Sequence, residues 1–181
     1  MATANVKPAS TTNPNAGMRI SFGALATMRN TEKVMMRYYN DMGKGKGNCT
    51  WGIGFYVHKG VCTPEELAKK VAAPSVEIEY AKRVAEAERR VKVKVKVELN
   101  QVQFDAIVSF TYNTANVTND RVYKALNDNN FEAAAQRISE ANKVRVDGQL
   151  RLAPGLIKRR VEESAPFRAT QRFLVPNQAS K

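Results

Sequence analysis

Val76, Tyr80, Val84, Ala87 and Val91 recur at spacings of four, four, three and four residues. That period draws one apolar stripe along a long amphipathic helix. Such a rod must be covered along its whole length, so the chain on either side of it has to supply the cover. The two sides differ. Before the rod, apolar and aromatic runs from Val34 to Tyr39 and from Cys49 to Val57 flank a Gly/Lys turn at residues 43–47, which is hairpin composition. After it the patterns are helical. Asn100-Gln101-Val102-Gln103 caps a helix with Phe104, Ile107, Val108, Thr111 and Tyr112 on one side. Short helices follow around Val122–Leu126 and Phe131–Ile138, then a hairpin-like centre at Asp147-Gly148 and a final helix over Pro154–Ser164, with Phe167 placed to pack at its end.

The fold class this predicts is α+β: a small hairpin-bearing lobe over 18–74, a connecting helix over 75–91 and a larger helical lobe over 92–170, with a cleft between the lobes. Residues 1–17, rich in Ala, Thr, Asn and Pro, read as a disordered tail, and 171–181 as a second tail. Within the small lobe, Ile20 to Thr31 suits a short helix that delivers Glu32 at or just past its end. Thr63-Pro64-Glu65-Glu66 is a strong helix start, carrying a helix to about Val71. The alternation VKVKVKV over 91–97 has the period of a strand, but its flanks are helical and no partner strand is near. It is read as a frayed helix end followed by an extended connector.

The chain is long enough for one real core, folded as two lobes. Its net charge of +12 points to a polyanionic partner: nucleic acid, an anionic membrane surface or an anionic wall polymer. No apolar run approaches the length of a membrane span, and the first seventeen residues lack the apolar stretch of a secretory signal.

Chemistry gathers between Thr31 and Phe55. Glu32 and Asp41 are separated by eight residues, and after the Gly turn comes Thr50-Trp51-Gly52-Ile53-Gly54. Two carboxyl groups and a hydroxyl around a tight turn can work on a glycosidic bond. One group must be a protonated acid beside the leaving oxygen, the other a carboxylate on the opposite side of the sugar. That division needs a buried Glu32 kept protonated and a more solvated Asp41 kept ionised. Taken singly, any of the 17 acids is more often a surface charge.

The blocks Glu32, Tyr39-Asn40-Asp41 and Thr50-Trp51-Gly52-Ile53-Gly54 resemble the catalytic region of phage-type lysozymes, the endolysins of glycoside hydrolase family 24. Further on, Gln103 to Phe110 with Tyr112-Asn113 is similar to that family's central buried helix, and Pro154 to Arg160 followed by Glu162 to its C-terminal signature. The resemblance covers roughly residues 18 to 170. It implies a monomeric glycoside hydrolase, a lysozyme that cleaves the β-1,4 bond between N-acetylmuramic acid and N-acetylglucosamine of peptidoglycan. It also implies that the chain is made in a host cytoplasm, acts at the wall or periplasm and binds no nucleic acid. By position, Glu32 becomes the general acid, Asp41 the carboxylate that activates water or stabilises the transition state, and Thr50 the hydroxyl that holds the water. Asn113, Arg159 and Arg160 become substrate contacts, together with Trp51 as a sugar platform, although hairpin packing is the commoner use of such a tryptophan. The sequence departs from the family in a longer turn before Thr50, in Phe55 where His is usual, in Lys33 after the glutamate and in Ala115. A lytic transglycosylase on the same scaffold would need Glu32 but not Asp41 and Thr50 in these roles. A basic nucleic-acid-binding or inactive wall-binding module is the rival from a different class.

Cys49 and Cys62 flank a predicted strand and its exit, and are either buried free thiols or a single disulfide. His58 is the only histidine and reads as a surface or hinge residue. Two Cys and one His fall short of a metal's ligand set, so no metal and no cofactor is expected. The Gly/Lys turn lacks the strand-to-helix setting of a phosphate loop and reads as a mobile lip over a substrate cleft.

Overall fold

The computed structural model describes residues 13–146 and 148–168. These fall into two compact units, Ile20–Glu88 and a second containing the residues up to Arg19 and from Arg89 onward.

In the Ile20–Glu88 unit, α1 (Phe22–Asn30) starts at Ser21, whose hydroxyl accepts from the Ala24 N–H. A sheet in the order β1-β2-β3 follows: β1 (Met35–Asn40), β2 (Cys49–Gly52) and β3 (Phe55–His58), all antiparallel. The expected hairpin is therefore three strands. The apolar run after Cys49 does not stay extended, because a tight turn at Ile53-Gly54 folds it back on itself. Gly52 permits this with φ +63°, and a Cβ there would meet the Phe55 ring at 2.9 Å. α2 (Pro64–Ala68) has the capping box expected of Thr63 and Glu66 but ends before Val71. From there the chain returns to the sheet, where the Val71 N–H donates to Met36 O at 3.0 Å.

α3 (Ala73–Lys94) is the long rod, and Val76, Tyr80, Val84, Ala87 and Val91 are all buried. Its helix ends at Lys94 within the alternating Val/Lys run, and an irregular connector follows.

In the second unit, α4 (Gln101–Asn113) begins at a capping box between Asn100 and Gln103 and buries Phe104, Ile107, Val108 and Phe110 completely. α5 (Asn116–Asn127), α6 (Phe131–Glu140) and α7 (Pro154–Ser164) complete the helices, with Phe167 buried in the short 3₁₀ turn after α7. β4 (Lys143–Val146) and β5 (Gln149–Leu152) form the second hairpin; Asp147 of its expected centre lies outside the described residues.

The N-terminal tail expected over 1–17 is corrected in part. Residues 1–12 lie outside the described residues, as does the expected tail 171–181, but residues 13–17 form a turn anchored by asparagines. Asn15 is fully buried. Its Nδ2 donates to Val97 O at 2.8 Å and its Oδ1 accepts from Leu99 N at 3.0 Å, so it satisfies the connector's backbone as a strand partner would.

Candidate active site

α1 ends where Thr31 caps it: the Thr31 N–H donates to Thr27 O at 3.2 Å and its hydroxyl to Met28 O at 2.8 Å. Glu32 comes next, its N–H donating to Arg29 O at 3.3 Å, so one more turn-like bond fixes its backbone. Its side chain is half-buried rather than buried, because it sits just beyond the helix on the irregular segment leading into β1.

Asp41 follows the last residue of β1 and is exposed. Its N–H donates to Asn48 O at 3.0 Å, one step beyond the Asn40–Cys49 pair of the ladder. Its carboxylate is held from across the turn: Oδ1 accepts from the Asn48 N–H at 2.7 Å and Oδ2 from Asn48 Nδ2 at 3.1 Å. Gly47 makes the room, since a Cβ there would lie 2.0 Å from Asp41 Oδ1 and 2.8 Å from Met42 N. The turn that read as a lip over a cleft therefore also orients the carboxylate.

Thr50 pairs directly with Tyr39, and its hydroxyl donates to Tyr39 O at 3.1 Å. Direct partners share a face of the sheet, and Tyr39 and Asp41 are two residues apart, so strand alternation places Thr50 and Asp41 on the same face. Thr50 is 3% exposed. Its proton is committed to Tyr39 O.

Trp51 is part of the packing: its ring stacks with Tyr38 at 6.3 Å and meets the edge of Phe55 at 5.0 Å. The three hydrophilic residues expected as substrate contacts lie in the other unit. Arg160 is 2% exposed, and this corrects its expected role. Its Nε donates to Ala141 O at 2.9 Å, one terminal nitrogen to Asn113 Oδ1 at 2.6 Å and the other to Glu163, while the guanidinium lies 5.0 Å from the Phe110 ring centre. A guanidinium enclosed in this way ties the core of its unit and presents no surface to a sugar. Arg159 donates to Glu163 at 3.1 Å, and Asn113 is exposed with its carbonyl oxygen taken by Arg160. Glu163, not the Glu162 of the sequence signature, is the hub. The i+3 and i+4 spacing from the two arginines was the signal that could have found it.

Cys49 and Cys62 are joined in a disulfide, with Cα atoms 4.6 Å apart. Beside it, His58 Nε2 lies 3.1 Å from Glu66, whose carboxylate also accepts from the Thr63 N–H at 2.8 Å. The backbone bond to Lys59 and the Glu66 carboxylate both raise the His58 pKa. In turn the Thr63 backbone, followed by His58, lowers that of Glu66. Glu66 thus adds an oxygen donor beside Cys49 and His58 that the count of two Cys and one His leaves out. A hollow of about 520 Å³ lies over β1, lined by residues including Arg37, Tyr38, Lys44 and Leu67, and it includes none of Glu32, Asp41 and Thr50. Among the described residues, no helix is long and apolar enough to cross a membrane.

Residues 29–163 match the family model described as phage lysozyme. The chain is 34% identical over 86 residues to an endolysin of Acyrthosiphon pisum secondary endosymbiont phage 1, a match covering 46% of this chain and 59% of that protein. It is 29% identical over 169 residues to an endolysin of Bacillus phage B103, covering 91% of this chain and again 59% of the relative. The matches thus span about three-fifths of the length of these relatives. Among solved structures, the endolysin from Escherichia coli O157:H7 phage FAHEc1 superposes with a TM-score of 0.67 at 26% identity, over 84% of this chain and 95% of that one.

Proposed function

The chain belongs to the phage lysozyme family, and from that membership we propose that it is a muramidase, hydrolysing the β-1,4 bond between N-acetylmuramic acid and N-acetylglucosamine in peptidoglycan. The observation that carries the reading is the corner where β1 and β2 meet. There Asn48 holds the Asp41 carboxylate from two directions, on the same sheet face as the Thr50 hydroxyl.

In this reading Glu32 donates its proton to the glycosidic oxygen as the bond to the leaving sugar breaks, and positive charge builds on the other sugar. Asp41, ionised and fixed by Asn48, stabilises that charge and orients the water that completes the hydrolysis. Thr50 accepts a hydrogen bond from the same water. No metal or organic cofactor takes part in these steps. Within the unit that holds Glu32, Asp41 and Thr50, Trp51 is the remaining candidate for a sugar contact; Asn113 and Arg159, whose Nε is taken by Glu163, stay expectations from the resemblance alone.

The test joins product chemistry to two variants. Digested peptidoglycan should carry reducing ends, because water is the nucleophile. Glu32→Gln should lower lysis by orders of magnitude with the far-UV circular dichroism unchanged, and Asp41→Ala should do nearly the same. Anhydro-sugar products together with an active Asp41→Ala variant would replace the hydrolase by a transglycosylase, while leaving Glu32 as the acid.

A further inference from the structure

Three potential metal ligands meet at the corner where β2, the exit of β3 and the start of α2 come together, and a fourth residue, Cys62, is bonded to one of them. Cys49 Sγ, His58 Nε2 and a Glu66 carboxylate oxygen all lie within 4.8 Å of one another. Cys62 Sγ lies outside that group of three and is tied to it through its bond to Cys49. Three separate constraints put the four residues there. Cys49 and His58 are direct partners in the β2–β3 ladder, Glu66 is the third residue of the α2 capping box, and Cys62 leads into that cap, with its N–H donating to Asn40 Oδ1 at 2.8 Å.

The spacings are close to those a zinc ion imposes. With Zn–N and Zn–O near 2.0–2.1 Å and Zn–S near 2.3 Å, a tetrahedron has N···O edges of about 3.3 Å and S···O edges of about 3.5 Å. Here His58 Nε2 lies 3.2 Å from Glu66 Oε1 and 3.1 Å from Oε2, and Cys49 Sγ lies 3.7 Å from Glu66 Oε2. The outer shell is also in place. His58 Nδ1 lies 3.1 Å from Lys59 O, so an Nδ1–H donating to that carbonyl leaves the Nε2 lone pair aimed at the cluster. Glu66 Oε2, the oxygen nearest Cys49 Sγ, also accepts from the Thr63 N–H, and its second lone pair remains for the ion. Both sulfurs are buried, whereas the His58 side chain is 41% exposed and leaves a side open to an incoming ion.

We propose that when the Cys49–Cys62 bond is reduced, Cys49, Cys62, His58 and Glu66 bind one zinc ion as a tetrahedral structural site, which holds this corner in place of the disulfide. The exchange balances. A dithiol reductant gives two electrons and two protons to the disulfide and becomes its own disulfide; the two protein thiols then release those protons as their thiolates take Zn²⁺. A reducing cytoplasm supplies thiols of that class, and an oxidising compartment removes the site by re-forming the S–S bond. The two sulfurs must swing apart from bonding distance to share the ion, which side-chain rotation about two adjacent backbones provides.

The inference does not depend on the muramidase reading, and its test measures metal rather than lysis. The full chain is reduced with a phosphine, transferred to metal-free buffer without air, and dialysed against micromolar Zn²⁺ beside the oxidised chain. Expected are about one zinc per reduced chain and background levels in the oxidised one. Co²⁺ in place of zinc should give the intense visible absorption of a tetrahedral site with a thiolate charge-transfer band. His58→Ala and Glu66→Gln should each weaken binding tenfold or more, on the order of what loss of a ligand or its support costs. Because His58 is partly exposed, its variant should keep the wild-type circular dichroism. A reduced wild-type chain that retains no zinc would overturn the proposal. So would a His58→Ala chain that binds as tightly as wild type, since two thiols alone would then be holding the ion.

Discussion

The Asp41 carboxylate can lie where it does because residue 47 has no Cβ. Gly47 has φ +86° and sits against the carboxylate, whereas Gly43 and Gly45, at φ +94° and +71°, have nothing within 4 Å of the place a Cβ would take. Alanine at any of the three must adopt a left-handed backbone, at a cost of about 1 kcal/mol. Only at 47 must it also displace the carboxylate that Asn48 holds. Gly45→Ala is therefore expected to lower stability slightly and lyse walls near the wild-type rate, whereas Gly47→Ala should fall toward the activity of Asp41→Ala. Denaturant titration and turbidity clearing, run on both variants, separate strain from misplacement. Equal lysis by the two would show that this contact does not set the carboxylate's working position.

At the scale of elements, two joints hold the helical unit's connections, and neither is hydrophobic. Asn15 takes over backbone groups of the connector after α3, so Asn15→Ala strands buried donors and acceptors. The expected loss is about 2–4 kcal/mol by denaturant titration, more than a surface residue of a tail could cost. A change within experimental error would return residues 13–17 to the tail. Between α4 and α5, the Tyr123 hydroxyl bonds Thr111 at 2.6 Å, and burial pushes its pKa up to about 12. A phenol raised from its ordinary value near 10 favours the protonated fold. That contribution is whole below about pH 10 and is lost as pH rises through about 12, for a total of roughly 2–3 kcal/mol. Tyr123→Phe should flatten the stability profile across that window, and an unchanged slope would show that the hydroxyl ionises as readily folded as unfolded. These joints also mark where the sequence stops being readable. The α3 stripe was legible because a helix writes its burial into the chain at a fixed period, and the caps at Thr63 and Asn100 because their partners are three residues away. Asn15 finds its partners about 80 residues off, so nothing local distinguishes it from a tail asparagine. The split of the expected return strand into β2 and β3 turned on Gly52, one residue inside an apolar run. At the candidate site Glu32, Asp41 and Thr50 were singled out by order and spacing, and the β1–β2 hairpin that sets Thr50 opposite Tyr39 was legible from the runs flanking the Gly turn. Asn48 and Gly47 were not, because their roles come from the path of the turn.

For the whole molecule, the property that acts at a distance is the net charge of +12, spread over 29 basic and 17 acidic residues. It tightens no active site, since a field of that range cannot select one bond in a sugar chain. What it can do is raise the concentration of protein at a polyanionic wall and the rate of encounter. Those contributions are screened over about 10 Å at 0.1 M salt and about 3 Å at 1 M. Whole-wall lysis should therefore fall several-fold as NaCl rises from about 0.05 to 0.5 M at fixed pH, and wall binding by Glu32→Gln, which lacks the proposed acid but keeps every basic residue, should fall in parallel. Cleavage of a short, uncharged soluble oligosaccharide should change little over the same range, because its approach needs no steering. The three measurements together assign the salt effect. If lysis fell while binding of the Glu32→Gln protein to the wall held constant, charge would not be what brings the enzyme to its substrate, and the salt sensitivity would belong to the chemistry at Asp41 and Glu32.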